Sequence, residues 1–292
     1  MSADPSSLLA ALDADRYCVM GNPVAHSRSP WIHARFAELS GDAIHYGAQL
    51  VALDGFAAGA RAFAAAGGRG CNVTVPFKFE AASLASRLSD RARIAGAANT
   101  LRFENGEIHG DNTDGAGLVN DIERNAGVQI AGRDVLLIGA GGAAAGVLGP
   151  LLNAAPARLV VVNRTPGKAR ALADSHQPLA RVADTLLQSL PIDSLTHAFD
   201  IVVNATASSL SGGAVPVSAA VLRPGTLALD MMYGPSAATF LHWARQHGAV
   251  PRDGLGMLVE QAAEAFFHWR GIRPPAAQVL AELRAVVDGV RP

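Results

Sequence analysis

Gly139-Ala140-Gly141-Gly142-Ala143-Ala144 follows a β-branched run, Val135-Leu136-Leu137-Ile138, opens a predicted helix, and matches G-x-G-x-x-A. Glycines at such a turn let backbone approach a pyrophosphate, and the helix behind it offers unpaired N–H groups and the positive end of its dipole. Dinucleotide binding is the chemistry implied; a glycine-rich turn with no ligand is the plainer reading. The next strand selects the dinucleotide. An NAD site usually carries an Asp or Glu there for the ribose hydroxyls. Here Leu159-Val160-Val161-Val162 ends in Asn163-Arg164-Thr165, with Lys168 shortly after. Two cations and a hydroxyl in place of the acid suit a 2′-phosphate, so NADP is expected, against the alternative of solvated basic residues at a strand end.

Two other segments gather polar residues where apolar ones are expected. In Asn72-Val73-Thr74-Val75-Pro76-Phe77-Lys78 the strand period puts Asn72 and Thr74 on one face and Val73 and Val75 on the other, with Lys78 just after the proline. Gly110-Asp111-Asn112-Thr113-Asp114-Gly115 packs acids, an amide and a hydroxyl ahead of a helix, as a binding turn would, or as a simple N-cap.

These residues need a frame. The chain predicts a strand at 17–21, then a helix capped by Ser27 or Ser29 with Pro30 at its first position. A second strand at 43–51, an amphipathic helix at 56–66 and a third strand at 70–76 closed by proline follow. Strand-like runs at 99–103 and 108–110 pair across Glu104-Asn105-Gly106. A helix after Asp114 ends at Gly127, and strands recur at 135–138, 159–162, 200–204 and 227–231 with helices between, the pattern of a doubly wound parallel sheet. A long helix follows Gly254, closed by Gly271, and a last one runs to about Val287.

The 292 residues exceed one ordinary domain, half are hydrophobic and 17% are charged, which excludes a disordered chain. A net charge of -1 provides no basic field, so no nucleic-acid partner is expected. Residues 135–157 lack any charge, but their glycines and Pro150 favour strand, turn and helix over a membrane span. Cys18 and Cys71 lack metal or disulfide spacing, and the acidic start has no signal-peptide character, so buried thiols in a cytoplasmic protein are expected. The nine histidines include no H-E-x-x-H pattern, so no metal is expected.

Gly21-Asn22-Pro23-Val24-Ala25-His26-Ser27-Arg28-Ser29-Pro30, the segment 72–78, Gly96-Ala97-Ala98-Asn99-Thr100, the segment 110–115 and the run 253–263 occur in the order of the shikimate dehydrogenase signatures. The chain resembles that family over nearly its whole length. The resemblance implies an α/β fold of two domains: an N-terminal α/β substrate-binding domain (1–118) and a Rossmann-type NADP-binding domain (119–257). C-terminal helices (258–292) pack back on the first. It implies reversible, NADPH-dependent reduction of 3-dehydroshikimate to shikimate, toward chorismate and the aromatic amino acids, by a monomer or homodimer.

By that resemblance Ser27 and Ser29 bind the substrate carboxylate, with Tyr233 near it. Asn72, Thr74, Asn99, Asp114 and Gln261 surround the ring hydroxyls, and Lys78 stands with Asp114 at the reacting oxygen. The cofactor residues are Gly139, Ala140, Gly141, Gly142, Ala143, Asn163, Arg164, Thr165, Lys168, Asn204, Thr206, Gly254 and Met257. An ammonium at a ketone oxygen stabilises the charge that hydride transfer builds there and can deliver the proton; both roles stay open for Lys78. Gln261, beside an apolar helical stripe, reads alone as a surface glutamine, and the family motif turns it into a pocket residue. Ala145 replaces an arginine common in relatives, and Asn204-Ala205-Thr206-Ala207-Ser208-Ser209 is one alanine longer than the usual form, so Ser208 and Ser209 receive no role. An NAD- or dual-cofactor quinate/shikimate dehydrogenase is the nearest alternative, disfavoured by Arg164 and Lys168. An inactive NADP-binding sensor would not need both Lys78 and Asp114.

Overall fold

The computed structural model describes residues 14–206 and 214–289. Ser208 and Ser209 lie outside the described residues, as do 1–13 and 290–292 at the ends of the expected domain spans. The chain forms two compact units, one of the residues up to Thr113 with Gln261–Val286, the other of Asp114–Glu260.

The first unit contains β1 (Asp15–Gly21), α1 (Ser29–Ser40), β2 (Ile44–Leu50), α2 (Phe56–Ala65), β3 (Gly68–Val73), α3 (Lys78–Leu84), β4 (Arg87–Leu88), α4 (Asp90–Ala95), β5 (Thr100–Glu104) and β6 (Glu107–Asp111). Its six-stranded sheet has the order β2-β1-β3-β5-β6-β4. Strand β1 pairs parallel with β2 and β3, while β5 runs antiparallel to both β3 and β6. Asn105 (φ 51) and Gly106 (φ 78) make the predicted two-residue hairpin turn, since both positions need the left-handed region. Met20, Phe56, Cys71, Phe77 and Leu101 fill the core on one face of this sheet. Both cysteines are free and buried, and burial pushes the Cys18 thiol up to about 12.

Two local expectations fail here. Helix α1 begins at Ser29 with Arg28 as its cap residue and no side-chain capping bond. Ser27 Oγ instead accepts from the Ser29 N–H at 3.3 Å, and Pro30 removes one of the donors a capping hydroxyl would have served. Strand β3 stops at Val73 rather than Pro76. Thr74 still donates its N–H to the Met20 carbonyl, but the Phe77 N–H then closes a turn onto the Thr74 carbonyl. Val75 is therefore 47% exposed instead of sharing the buried side of Val73. Lys78 opens a short helix that the sequence reading did not include.

The second unit contains α5 (Asp114–Asn120), a wide helical turn over Asp121–Asn125, β7 (Asp134–Ile138), α6 (Gly142–Asn153), β8 (Arg158–Val162), α7 (Pro166–Val182), β9 (Leu186–Ser189), β10 (Ile201–Asn204), β11 (Leu227–Asp230), α8 (Ala238–Gln246) and β12 (Val250–Arg252). All six strands are parallel in the order β12-β11-β10-β7-β8-β9, a doubly wound sheet. Val135, Leu137, Val161 and Val203 serve the core on one face, and Leu136, Ile138, Val160 and Val202 the core on the other. Burial on both faces explains the continuous apolar runs that made these strands legible. The edge strands β9 and β12 lacked such a run because Leu186 and Val250 are exposed.

Helices α9 (Leu255–Arg270) and α10 (Ala276–Val287) follow. From Gln261 onward this segment packs on the first sheet, where Trp269 stacks on Tyr17 at 4.6 Å and donates Nε1–H to the Leu101 carbonyl at 3.0 Å. The uncharged stretch 135–157 is β7, a turn and α6, and among the described residues no helix is long and apolar enough to cross a membrane.

Candidate active site

In the first unit, β2, β3, the start of β5, the turn after β6 and α9 bring six amide or hydroxyl side chains, Tyr46, Asn72, Asn99, Thr100, Thr113 and Gln261, into one largely buried network. Asn99, only 2% exposed, is its centre. Its Oδ1 accepts from the Thr113 N–H at 2.8 Å and from the Thr100 hydroxyl at 2.9 Å. Its Nδ2 donates to Gln261 Oε1 at 2.9 Å and to Thr113 Oγ1 at 3.0 Å. Asn72 joins by donating Nδ2–H to Thr100 Oγ1 at 3.1 Å and accepts at Oδ1 from the Tyr46 hydroxyl at 2.6 Å. Mutual bonding fixes every amide's orientation before any ligand arrives, and a ligand lacking one matching hydroxyl leaves a buried group unpaired.

Tyr46, Thr100 and Thr113 belong to this network but were not singled out in the sequence. Thr100 and Thr113 each stood within a quoted motif, and Tyr46 had no signal beyond being an aromatic residue on a strand. Burial raises the Tyr46 phenol well above its ordinary value. His33 stacks on Tyr46 at 4.2 Å and 8° between planes, and its own burial lowers the imidazole to about 3, so it is a neutral plate at physiological pH. Ser29 is buried at the start of α1, and Ser27 is half-buried before it. Thr74 follows β3 directly, and a Cβ on Gly21 would lie 2.3 Å from its Cγ2, so β1 must end in glycine to leave room for Thr74. Half-buried Lys78 is anchored through its carbonyl, which accepts from the Ala98 N–H at 2.8 Å.

The second unit holds Asp114, the 1% exposed first residue of α5, and half-buried Tyr233 after β11. The glycine turn also lies here. Gly139 has φ 122, and a Cβ there would sit 2.9 Å from the Ala205 carbonyl oxygen, so only glycine suits. Gly141 is the cap residue of α6 and supplies no side-chain capping bond. A Cβ on Gly141 would meet nothing within 4 Å, so open space faces an uncapped helix N-terminus, the cradle that a pyrophosphate requires. Gly142, Ala140 and Ala143 are partly exposed around it, while Ala145 is buried and adds no charge. Asn163 Nδ2 donates to the Thr165 carbonyl at 3.1 Å, shaping the turn after β8, and Arg164, Thr165 and Lys168 are exposed there. This donor set fits NADP.

Asn204 and Thr206 are brought together differently. Asn204 Oδ1 accepts from the Thr206 hydroxyl at 2.8 Å and Nδ2 donates to Asp230 Oδ2 at 3.0 Å, which clamps the ends of β10 and β11. Gly254 packs so closely that a Cβ would lie 2.3 Å from the Met231 carbonyl oxygen. Met257 is 3% exposed within the apolar core.

Residues 19–101 match the family described as shikimate dehydrogenase substrate binding domain, 121–211 that described as shikimate / quinate 5-dehydrogenase, and 254–284 the shikimate 5'-dehydrogenase C-terminal domain. A shikimate dehydrogenase (NADP(+)) of Acidovorax sp. strain JS42 is 66% identical over 274 residues, covering 94% of this chain and 97% of the relative. The crystal structure of an Ael1 enzyme from Pseudomonas putida superposes with a TM-score of 0.85 at 46% identity, over 92% of this chain and 98% of that one. Shikimate 5-dehydrogenase from Thermus thermophilus, in complex with NADP(H) and shikimate, gives 0.81 at 31% identity, over 92% and 98% respectively.

Proposed function

The chain belongs to the shikimate dehydrogenase (NADP+) family, and from that premise we infer that it catalyses the reversible oxidation of shikimate to 3-dehydroshikimate with NADP+. The observation that carries the residue assignment is the Asn99-centred network, in which Asn72 and Gln261 converge on one buried set of hydrogen bonds. Asn72, Thr74, Asn99 and Gln261 pair with the ring hydroxyls. Ser27, Ser29 and Tyr233 hold the carboxylate.

When bound, the nicotinamide supplies the hydride acceptor. Gly139, Ala140, Gly141, Gly142 and Ala143 would hold the pyrophosphate of bound NADP by backbone, and Arg164 and Lys168, with Thr165 and Asn163, would hold its 2′-phosphate. Asn204, Thr206, Gly254 and Met257 line the rest of that site. In the reductive direction the Lys78 ammonium stabilises negative charge on the reacting oxygen and gives it a proton, leaving the neutral amine. In the oxidative direction the neutral Lys78 amine takes the hydroxyl proton as the carbonyl forms, and Asp114 is the second polar group assigned to that oxygen. We assign residues 1–118 with 258–292 to the substrate and 119–257 to the cofactor, the site of action to the cytoplasm, and the assembly to a monomer or homodimer.

Initial rates of reduced-nicotinamide formation with shikimate or quinate and NADP+ or NAD+, in all four combinations, test the reading. Activity confined to shikimate with NADP+ is expected. Comparable turnover of quinate, which the matched shikimate / quinate family admits, would place the chain in the broader subclass. Comparable use of NAD+ would overturn the roles given to Arg164 and Lys168.

A further inference from the structure

We infer that Asp111, gripped by Ser89 and Arg91, is a positioning residue for substrate recognition, setting the register of the Asn112-Thr113 turn and through it the Asn99 and Gln261 amides. The inference rests on the substrate role proposed for Asn99 and Gln261.

Asp111 ends β6 and is 3% exposed. Its Oδ1 accepts from Ser89 Oγ at 2.5 Å, from Arg91 Nε at 2.7 Å and from the backbone N–H of Asn112 at 2.7 Å. Its Oδ2 accepts from Arg91 Nη2 at 2.5 Å, completing a two-pronged guanidinium–carboxylate pair. Ser89 is also the cap of α4 and accepts from the Ala92 N–H, so its hydroxyl proton is left to point at Asp111. A carboxylate is an acceptor only and can serve all these donors at once. An amide in its place turns one end into a donor and must lose or repel some of them.

What Asp111 holds is the start of the substrate network. Immediately after it, Asn112 Nδ2 donates to the Ala97 carbonyl at 2.9 Å, and the Thr113 N–H then donates to Asn99 Oδ1 at 2.8 Å. Three successive residues are thus tied to three separate points, and the last tie orients Asn99. Arg91 also reaches α9, where Glu264 lies 4.0 Å away, three residues beyond Gln261. One guanidinium therefore binds the carboxylate that starts the Asn112-Thr113 turn and lies 4.0 Å from Glu264, which stands one helical turn beyond Gln261 and also pairs with Arg273. Loss of the Asp111 charge frees Arg91 to move toward Glu264 and releases the turn.

The test uses the full-length enzyme as Asp111→Asn, Arg91→Lys, Arg91→Ala and Asn99→Ala. Shikimate kinetics with NADP+ are read together with NADPH fluorescence titration and thermal melting. Asp111→Asn and Arg91→Ala should raise the shikimate KM about tenfold or more per folded molecule, with a smaller change in kcat and NADPH affinity within about twofold of wild type. Arg91→Lys, which keeps the charge but not the two-pronged geometry, should fall between. An Asp111→Asn enzyme that melts earlier yet keeps its KM is only structurally impaired, and overturns the inference. If that variant fails to fold, Arg91→Lys decides, and an unchanged KM overturns it equally. An unchanged KM in Asn99→Ala overturns the site reading and the inference with it; a raised KM there beside an unchanged KM in Asp111→Asn overturns the inference alone.

Discussion

The ends of β3 and β7 occupy comparable places in their sheets and solve opposite problems. Beyond β3 the groups we assign to the substrate are side chains: Asn72 on the strand, with Asn99, Thr113 and Gln261 drawn to it from elsewhere in the chain. Beyond β7 they are backbone: Gly139 at φ 122 and the uncapped start of α6. A small polyhydroxy acid is recognised by pairing each hydroxyl with an oriented amide or hydroxyl, whereas a pyrophosphate is held by N–H groups that come with any helix start. One site is weakened by removing atoms, the other by adding them.

Mutations that strike one region and spare the other sharpen this contrast. The largest effect is expected from Lys78→Ala, which should lower kcat by about 10²–10⁴-fold while NADPH titration stays unchanged; near-normal turnover would take Lys78 out of the chemistry. Gly139→Ala should do the reverse. Its Cβ is forced against the Ala205 carbonyl at a backbone angle that alanine avoids, so NADPH affinity should fall about tenfold or more, with the shikimate site intact in equilibrium binding. Unaltered NADPH binding would contradict a backbone-built cradle.

A smaller effect is expected from Arg164→Ala, whose exposed guanidinium lies after β8. NADPH should weaken by about tenfold relative to NADH, and equal losses for both would remove the 2′-phosphate reading. The smallest concerns the surface. Paired with Arg35, Glu282 is held down to about 2 from its ordinary 4.5, so its stabilisation is full above pH 4.5 and is lost as pH falls from there toward 2. Glu282→Gln should lower Tm by no more than about 2 °C at neutral pH, since exposed pairs are screened, and the difference should narrow below pH 4.5. A gap that widens with acid would contradict the pairing.

Legibility followed the same divide. The four central strands of the second sheet announced themselves because both faces are buried, and the glycine turn because its chemistry lies in local backbone. In the first unit, motifs marked Asn72, Asn99 and Gln261, whereas Thr100 stood in a motif without a role of its own and nothing local marked Tyr46; their roles exist only once β2, β1, β3 and β5 lie side by side. Ser27 and Ser29 looked like helix caps because hydroxyls ahead of a proline usually are, yet Arg28 holds that place. The end of β3 was overextended because alternation continues through Val75 while the backbone turns after Val73.

By itself the sequence determined the α/β class, the family and the residue types of both sites, because periodicity, glycine placement and motif order are local properties of the chain. Only the tertiary structure decided which amide faces which hydroxyl. Asn99 and Gln261 are far apart in sequence and meet at 2.9 Å because α9 returns to the first sheet. Asp111 belongs to the same category. As a sequence letter it is one acid in a polar turn, and in the fold its two oxygens are committed to Ser89, Arg91 and Asn112. Hydrogen bonds of a few ångströms between distant residues depend on packing, which no local pattern encodes.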